Sequence, residues 1–392
     1  MAWRQTCPVD ERLSLMLELD RGERSMSELC RVLGVSRKSG YKWLARYREQ
    51  GVNGLADRSR APLNHPNAVD EALVDPIVQL RRRYPDWGPQ KLRLWLQRRH
   101  PERGWPVSST LAEILKRAGL VKPRRMVRRA VPFGAPLAHA DRPNALWSAD
   151  FKGHFRTGDS RYCYPLTVSD NYSRYLLECR ALTGYRFIDV RPWFERVFRE
   201  YGLPQAIRTD NGAPFASKGV AGLSRLTVWW IKLGIIPEHI EPGKPQQNAR
   251  HERMHGTLKR AACRPRTDAA GQQQLFDCFR NDYNTERPHQ ALKGQTPAMC
   301  HQRSSRPYPE KLPELEYPEG MYLRRVLPSG DLRWLGQRMH CSEALIGETV
   351  GLRLIEDGLW LLYVGPIAVG RLDARVARIE PIKPFIEVPT LH

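Results

Sequence analysis

The first fifty residues group their apolar positions at helical spacing. Leu13, Leu15, Met16, Leu17 and Leu19 crowd one stretch, and Ser25 to Leu33 forms a second. Gly34-Val-Ser36 then leads into a basic run to Gln50, where Tyr41, Leu44 and Tyr47 share a face. A serine before a helix is a natural N-cap, and a glycine suits the turn ahead of it. The pattern predicts a helix-turn-helix over 1–60. Its second helix offers Arg37, Lys38, Lys42 and Arg46 on the other faces. A plain helical hairpin with a solvated basic face would show the same pattern.

A second helix-turn-helix DNA-binding domain is expected over 61–122. Asp70 to Arg83 is helical, Trp87-Gly-Pro-Gln90 opens another helix, and Val107-Ser108 a third. In the third, Leu111, Ile114, Leu115 and Ala118 make one apolar stripe. Ser109, Thr110, Lys116 and Arg117 lie on its outer face as candidate DNA contacts. Residues 123–143 read as a linker rich in Arg and Pro. Its Arg124, Arg125, Arg128 and Arg129 could track phosphates without reading sequence.

From Asn144 the period changes. Leu146 to Phe155, Tyr162 to Val168 and Tyr175 to Cys179 are strand-like, and alternating helix and strand follow, which predicts a mixed α/β layer over 144–300. Residues 301–318 form a Pro-rich linker. Short strands with hairpin turns at Pro328-Ser-Gly-Asp331 and Glu356-Asp-Gly358 then predict a small closed β-barrel over 319–392. The predicted fold class is thus multidomain: α, then α/β, then β.

Charge narrows the partner. The 392 residues carry a formal net charge of +21. Residues 1–143 contribute +13, residues 144–300 contribute +8, and the remainder is neutral. Such a field attracts a polyanion. No basic amphipathic helix with a broad apolar face is present, so double-stranded DNA is favoured over a membrane surface. The longest uncharged stretch, Gly358 to Gly370, is too short to span a bilayer. The chain reads as cytoplasmic. Its eight cysteines show no CxxC and no zinc spacing, and fit packed free thiols.

Three acids have distinctive settings. Asp150 lies within a strand, Asp210 ends a short buried strand before Asn211-Gly212, and Glu252 sits near the start of a helix. A carboxylate in a central strand is costly to bury unless it is paired or binds a cation. Three carboxylates from two strands and a helix can hold two Mg²⁺ ions against a phosphodiester. Taken singly, each acid would more often be structural.

As a set they resemble the DDE transposase and retroviral-integrase catalytic core, in its bacterial insertion-sequence version. The resemblance runs from about Asn144 to Met299. Trp147-Ser-Ala-Asp150, Thr209-Asp-Asn-Gly212, Pro245-Gln-Gln-Asn-Ala-Arg-His-Glu252 and Tyr283-Asn-Thr-Glu-Arg-Pro-His289 carry it. It implies an RNase H-like fold. It assigns Asp150, Asp210 and Glu252 as catalytic residues and ligands of two Mg²⁺ or Mn²⁺ ions. It also implies element ends and target DNA as substrates, a homodimer or larger assembly on DNA, and a bacterial, nucleoid-associated location. No nucleotide cofactor is expected, because transesterification conserves the bond and no phosphate loop appears.

Forty-one residues lie between Asp210 and Glu252, and Ala213 to Arg225 is expected to be a surface insertion. Ala249 stands where many relatives carry Gly. Lys259, two turns after Glu252 on the same face, is assigned to a DNA phosphate. Asn248 and His251 are candidates for positioning that helix or the terminal nucleotides. Asp170 and Glu286 are read as structural. Two rival readings remain at this stage: an RNase H-like nuclease that does not join ends, and a helix-turn-helix regulator with an inactive core.

Overall fold

The computed structural model describes residues 7–59, 69–121, 140–217, 219–241 and 244–386. Arg124, Arg125, Arg128 and Arg129 lie outside the described residues. The chain forms two compact units, 1–69 and 70–392.

The first unit is helical: α1 (Pro8–Asp20), α2 (Met26–Val32) and α3 (Arg37–Gln50). Ser25 and Glu28 form a capping box at the start of α2. Ser36 Oγ accepts from the Ser39 amide at 3.2 Å and caps α3. Gly34, between them, has φ +63°, which a glycine adopts without cost. Leu15, Met16, Met26, Leu29, Cys30, Leu44 and Leu55 form the core. A Cβ on Gly40 would stand 2.6 Å from Cys30 Sγ, so a glycine is what lets α2 and α3 approach.

The second unit opens with α4 (Glu71–Arg83), α5 (Pro89–Arg99) and α6 (Ser108–Arg117). Ile77, Leu80, Leu92, Leu96, Leu111, Ile114 and Leu115 are their buried stripes. The mixed sheet follows: β1 (Leu146–Phe151), β2 (Phe155–Arg156), β3 (Tyr162–Asp170), β4 (Leu176–Leu182), β5 (Ala206–Thr209) and β6 (Ile236–His239). β3 pairs antiparallel with β1, β2 and β4, while β1 with β5 and β5 with β6 are parallel. Helices α7 (Phe187–Tyr201) and α8 (Arg225–Lys232) share one core with Trp147, Ala149 and Leu166. Helices α9 (Ala249–Ala261) and α10 (Ala269–Asn281) share another with Cys163, Leu176 and Cys179. Strand alternation therefore turns Ser148 and Asp150 toward α9.

The closed barrel does not form. β7 (Tyr322–Arg325), β10 (Thr349–Glu356), β11 (Leu359–Val364), β12 (Ile367–Asp373) and β13 (Arg378–Ile386) make an open antiparallel sheet in the order β13-β12-β11-β10-β7. Among the described residues, β8 (Asp331–Trp334) and β9 (Gln337–His340) pair only with each other. Closure would need donors on both edges. β13 contains Pro381 and Pro384, which have none, and so it ends the ladder.

The expected surface insertion is corrected too. Phe215, Val220 and Leu223 are buried, and Val220 and Leu223 join the core of the C-terminal sheet. The stretch is a seam between the mixed sheet and the β-rich end. The Pro-rich stretch is also held down. Leu203 N donates to Arg306 O at 2.7 Å, and Ser304 N to Tyr201 O at 2.9 Å.

Candidate active site

The register of two parallel strands sets the site. Leu146 pairs with Ala206 and Ser148 with Arg208. Continuing that offset brings Asp150 level with Asp210, at the carboxyl ends where α/β sheets place ligands. Asp210 is fixed by its turn, its Oδ1 accepting from the Gly212 amide at 3.1 Å.

Glu252 lies in the first turn of α9 and is exposed. Asp150 feels both neighbours. Burial, then the charge of Asp210, pushes its carboxyl up to about 7, and Glu252 adds a smaller push. The Phe151 amide and Lys152 pull the other way. The site thus concentrates negative potential. Among the described residues, no three His, Cys, Asp or Glu side chains are gathered into a ready-made metal cage.

Helix α9 is pinned to the sheet by a buried polar network. Thr167 Oγ1 donates to Asp150 O at 3.0 Å and lies 2.7 Å from both His251 Nε2 and His255 Nε2. A carbonyl cannot donate, so the one hydroxyl proton goes to Asp150 O. Both imidazoles then donate through Nε2. His251 Nδ1 is left to accept from Ser169 Oγ at 2.8 Å. Burial holds both rings neutral, with His251 pulled down to about 3 and His255 to about 2; Lys152 adds to both, and His251 to His255. His255 Nδ1 stands 3.6 Å from Asp150 Oδ2.

Asn248 Oδ1 accepts from Ser148 Oγ at 2.9 Å, and Asn171 Nδ2 donates to the same hydroxyl at 2.7 Å. So Asn248 and His251 anchor the helix that carries Glu252. Arg208 was not singled out in the sequence. Its Nε bonds Glu238 at 2.8 Å and its Nη1 donates to Gln247 O at 3.0 Å, tying β5 and β6 to the turn before α9. A buried arginine in a four-residue strand was the available signal.

The remaining expected residues sit as follows. Lys259 is exposed near the end of α9. Arg37, Lys38 and Lys42 are exposed on α3, while Arg46 is half-buried against Trp43. On α6, Ser109, Lys116 and Arg117 are exposed and Thr110 is half-buried. Asp170 is fully buried, and its Oδ2 accepts from the Ser173 amide at 2.9 Å. Glu286 proves to be a junction: it accepts from Trp95 Nε1 at 2.7 Å. No helix among the described residues is long and apolar enough to cross a membrane.

Comparison with known proteins agrees with this layout. The integrase core domain family matches residues 140–245, and a second family of the same description matches 233–297. A helix-turn-helix domain matches 11–62 and a homeodomain-like domain 39–115. The chain thus joins helix-turn-helix domains to an integrase core, the make-up of an insertion-sequence transposase.

Among its relatives is the insertion element IS407 uncharacterized 31.7 kDa protein of Burkholderia multivorans, 28% identical over 62% of this chain and 87% of that one. The insertion element IS476 uncharacterized 39.2 kDa protein of Xanthomonas euvesicatoria is 28% identical over 62% of this chain and 70% of that protein. A chain of the simian T-cell lymphotropic virus intasome is 16% identical over 73% of this chain and 95% of its own, with a TM-score of 0.36.

Proposed function

We propose that the protein binds the terminal inverted repeats of its own insertion sequence, cuts the phosphodiester at each end, and joins the freed 3′-OH to target DNA. The observation that carries this reading is the strand register that brings Asp150 level with Asp210, with Glu252 close enough to act on the charge of Asp150.

Asp150, Asp210 and Glu252 would hold the divalent cations. Their donors are all carboxylate oxygens, which suits a hard ion, and the mutual repulsion at Asp150 is what a cation relieves. Cations held there would supply charge stabilisation for both the attacking and the leaving group of an in-line displacement. The chain supplies the rest. The Asp210 turn and the β1–β5 register fix two carboxylates. The Thr167–His251–His255 network sets the height of α9, and so the reach of Glu252. The exposed cations of α3 and α6 hold the DNA in place. Two element ends call for two such sites, so the working form is a dimer or larger on paired ends.

A strand-transfer assay with labelled element ends tests the reading. Asp210→Asn is expected to lose cleavage and joining by several decades while end binding persists. Retained joining in that variant refutes the assignment. Cutting without joining in the unaltered chain would make it a nuclease.

A further inference from the structure

A cavity of 690 Å³ opens where the turn between α4 and α5 meets α9 and α10. That is the size of a small-molecule site. One wall is the Tyr84–Trp87 pair, stacked at 3.9 Å with planes 5° apart. Phe279 and Tyr283 add apolar surface from α10 and the turn after it. The rim carries Arg83, Arg260, Arg264 and Arg287, against the acids Asp86 and Asp282.

Two features mark it as more than a packing gap. Tyr84 is about nine-tenths buried, yet its hydroxyl makes no well-formed hydrogen bond, with the neighbouring Arg83 guanidinium acting on it. A buried hydroxyl so poorly bonded costs stability unless something else satisfies it. The cationic excess is also concentrated here. Four arginines line the cavity against two acids, of which Asp86 pairs with Arg260 at 3.5 Å. Guanidinium groups beside flat aromatic walls suit a ligand with both a base and a phosphate.

The position narrows the ligand. Arg260 lies eight residues along α9 from Glu252, about 12 Å by helical rise. That equals about three to four base steps of duplex. We propose that the cavity receives an unstacked nucleotide of the bound DNA, close to the end being processed. The base lies against the aromatic wall, Arg260 and Arg264 meet its phosphate, and the Tyr84 hydroxyl gains a well-formed hydrogen bond. This rests on the reading of the chain as a DNA-processing enzyme.

The test uses the full chain and two duplexes from the element's own terminus, one blunt and one with a four-nucleotide overhang holding 2-aminopurine. Tighter binding of the overhang duplex, by fivefold or more, with a change in 2-aminopurine fluorescence, is expected. Tyr84→Phe keeps the ring stack, and Arg264→Gln alters an exposed side chain. Each should cut the preference at least threefold and leave blunt-duplex affinity within twofold.

Equal affinity for both duplexes, or a preference that survives both substitutions, overturns the pocket. Loss of all DNA binding in the unaltered chain overturns the functional reading instead. Thymidine monophosphate titrated alone separates a free nucleotide from one within DNA. Tight binding that the overhang duplex does not displace would make this a free-nucleotide site, and the proposal would fail.

Discussion

The indole of Trp95 donates to Glu286 at 2.7 Å, joining α5 to the turn that follows α10. Arg99 bonds the other carboxylate oxygen at 2.5 Å, and Arg98 reaches the Glu286 carbonyl at 3.1 Å. The second helical unit is therefore latched to the integrase core at Glu286, through both its side chain and its backbone carbonyl, and Asp86 adds an ion pair to Arg260 at 3.5 Å. Its outer helix α6 leaves Ser109, Lys116 and Arg117 exposed.

Removing the Glu286 side chain should loosen the latch. Arg99 is half exposed, so its ion pair contributes little and the weight falls on the indole bond. Glu286→Ala leaves the indole N–H without its partner, at a cost of about 1–3 kcal/mol. Amide hydrogen exchange should speed up across Pro89–Arg99 and stay unchanged in β1 and β5. Unchanged protection of α5 would show that the unit is held without the Glu286 side chain, by apolar packing and the Arg98 bonds to backbone carbonyls.

Much of this layout was legible in the sequence because it is local. Period, caps and turns placed α3, α6, β1 and β5 close to where they lie. Asp150 stood out because a carboxylate in a buried strand contradicts its surroundings, and Asp210 and Glu252 through the short motifs around them. The misses are long-range. Nothing local marks Trp95 and Glu286 as partners across 191 positions. Ala213 to Arg225 looked like a surface loop because its Gly and Ser residues mask two apolar anchors, Val220 and Leu223. The barrel was expected from hairpin signals, which report neighbouring strands and say nothing of whether the two edges meet.

The structure also predicts acid sensitivity at His289. Burial first, then Arg287, Lys91 and Arg174, pulls its pKa down to about 3. The unfolded chain takes up that proton near pH 6.5. Between those values the unfolded state binds one more proton than the native state. The stability is fully present above about pH 6.5 and is lost as pH falls toward 3. His289→Gln should flatten the dependence of stability on pH between 4.5 and 6 by about 1.4 kcal/mol per pH unit. An unaltered slope in thermal melts across that range would mean the imidazole is already charged.

Arg306 should matter more than its place in a Pro-rich stretch suggests. Its Nη1 donates to Pro204 O at 2.7 Å, and its Nη2 to Leu233 O at 2.9 Å and Gly234 O at 2.8 Å. Two of those acceptors lie just past the end of α8, where a positive charge also offsets the helix dipole. Arg306→Ala should cost about 1.5–3 kcal/mol, and Arg306→Lys should recover only part, since an ammonium cannot fork across separate carbonyls. Protease cleavage within 301–318 should become faster in both. Wild-type resistance in Arg306→Ala would place the anchoring elsewhere, in Ser304 and Tyr308.

The basic residues of α3 should separate into DNA contacts and structural cations. Arg37 and Lys38 are exposed in the first turn of α3, the end that would meet base edges and phosphates if α3 reads DNA as the second helix of a helix-turn-helix. Arg46 is half-buried, with its guanidinium 4.9 Å from the Trp43 ring centroid, and Arg12 covers the same ring at 3.8 Å. A charge engaged in that way is poorly placed to replace a counterion on a phosphate. Each phosphate contact contributes about 0.9 to the slope of log K against log salt concentration. Lys38→Ala and Arg37→Ala should each lower that slope by about one, measured with the full chain on an element-end duplex. Arg46→Ala should leave the slope alone and lower the melting temperature of the first unit, because it strips a cation from the face of Trp43. A slope reduced by Arg46→Ala but not by Lys38→Ala would turn the DNA-facing side of α3 around by about a quarter of a turn, toward the side that carries Trp43.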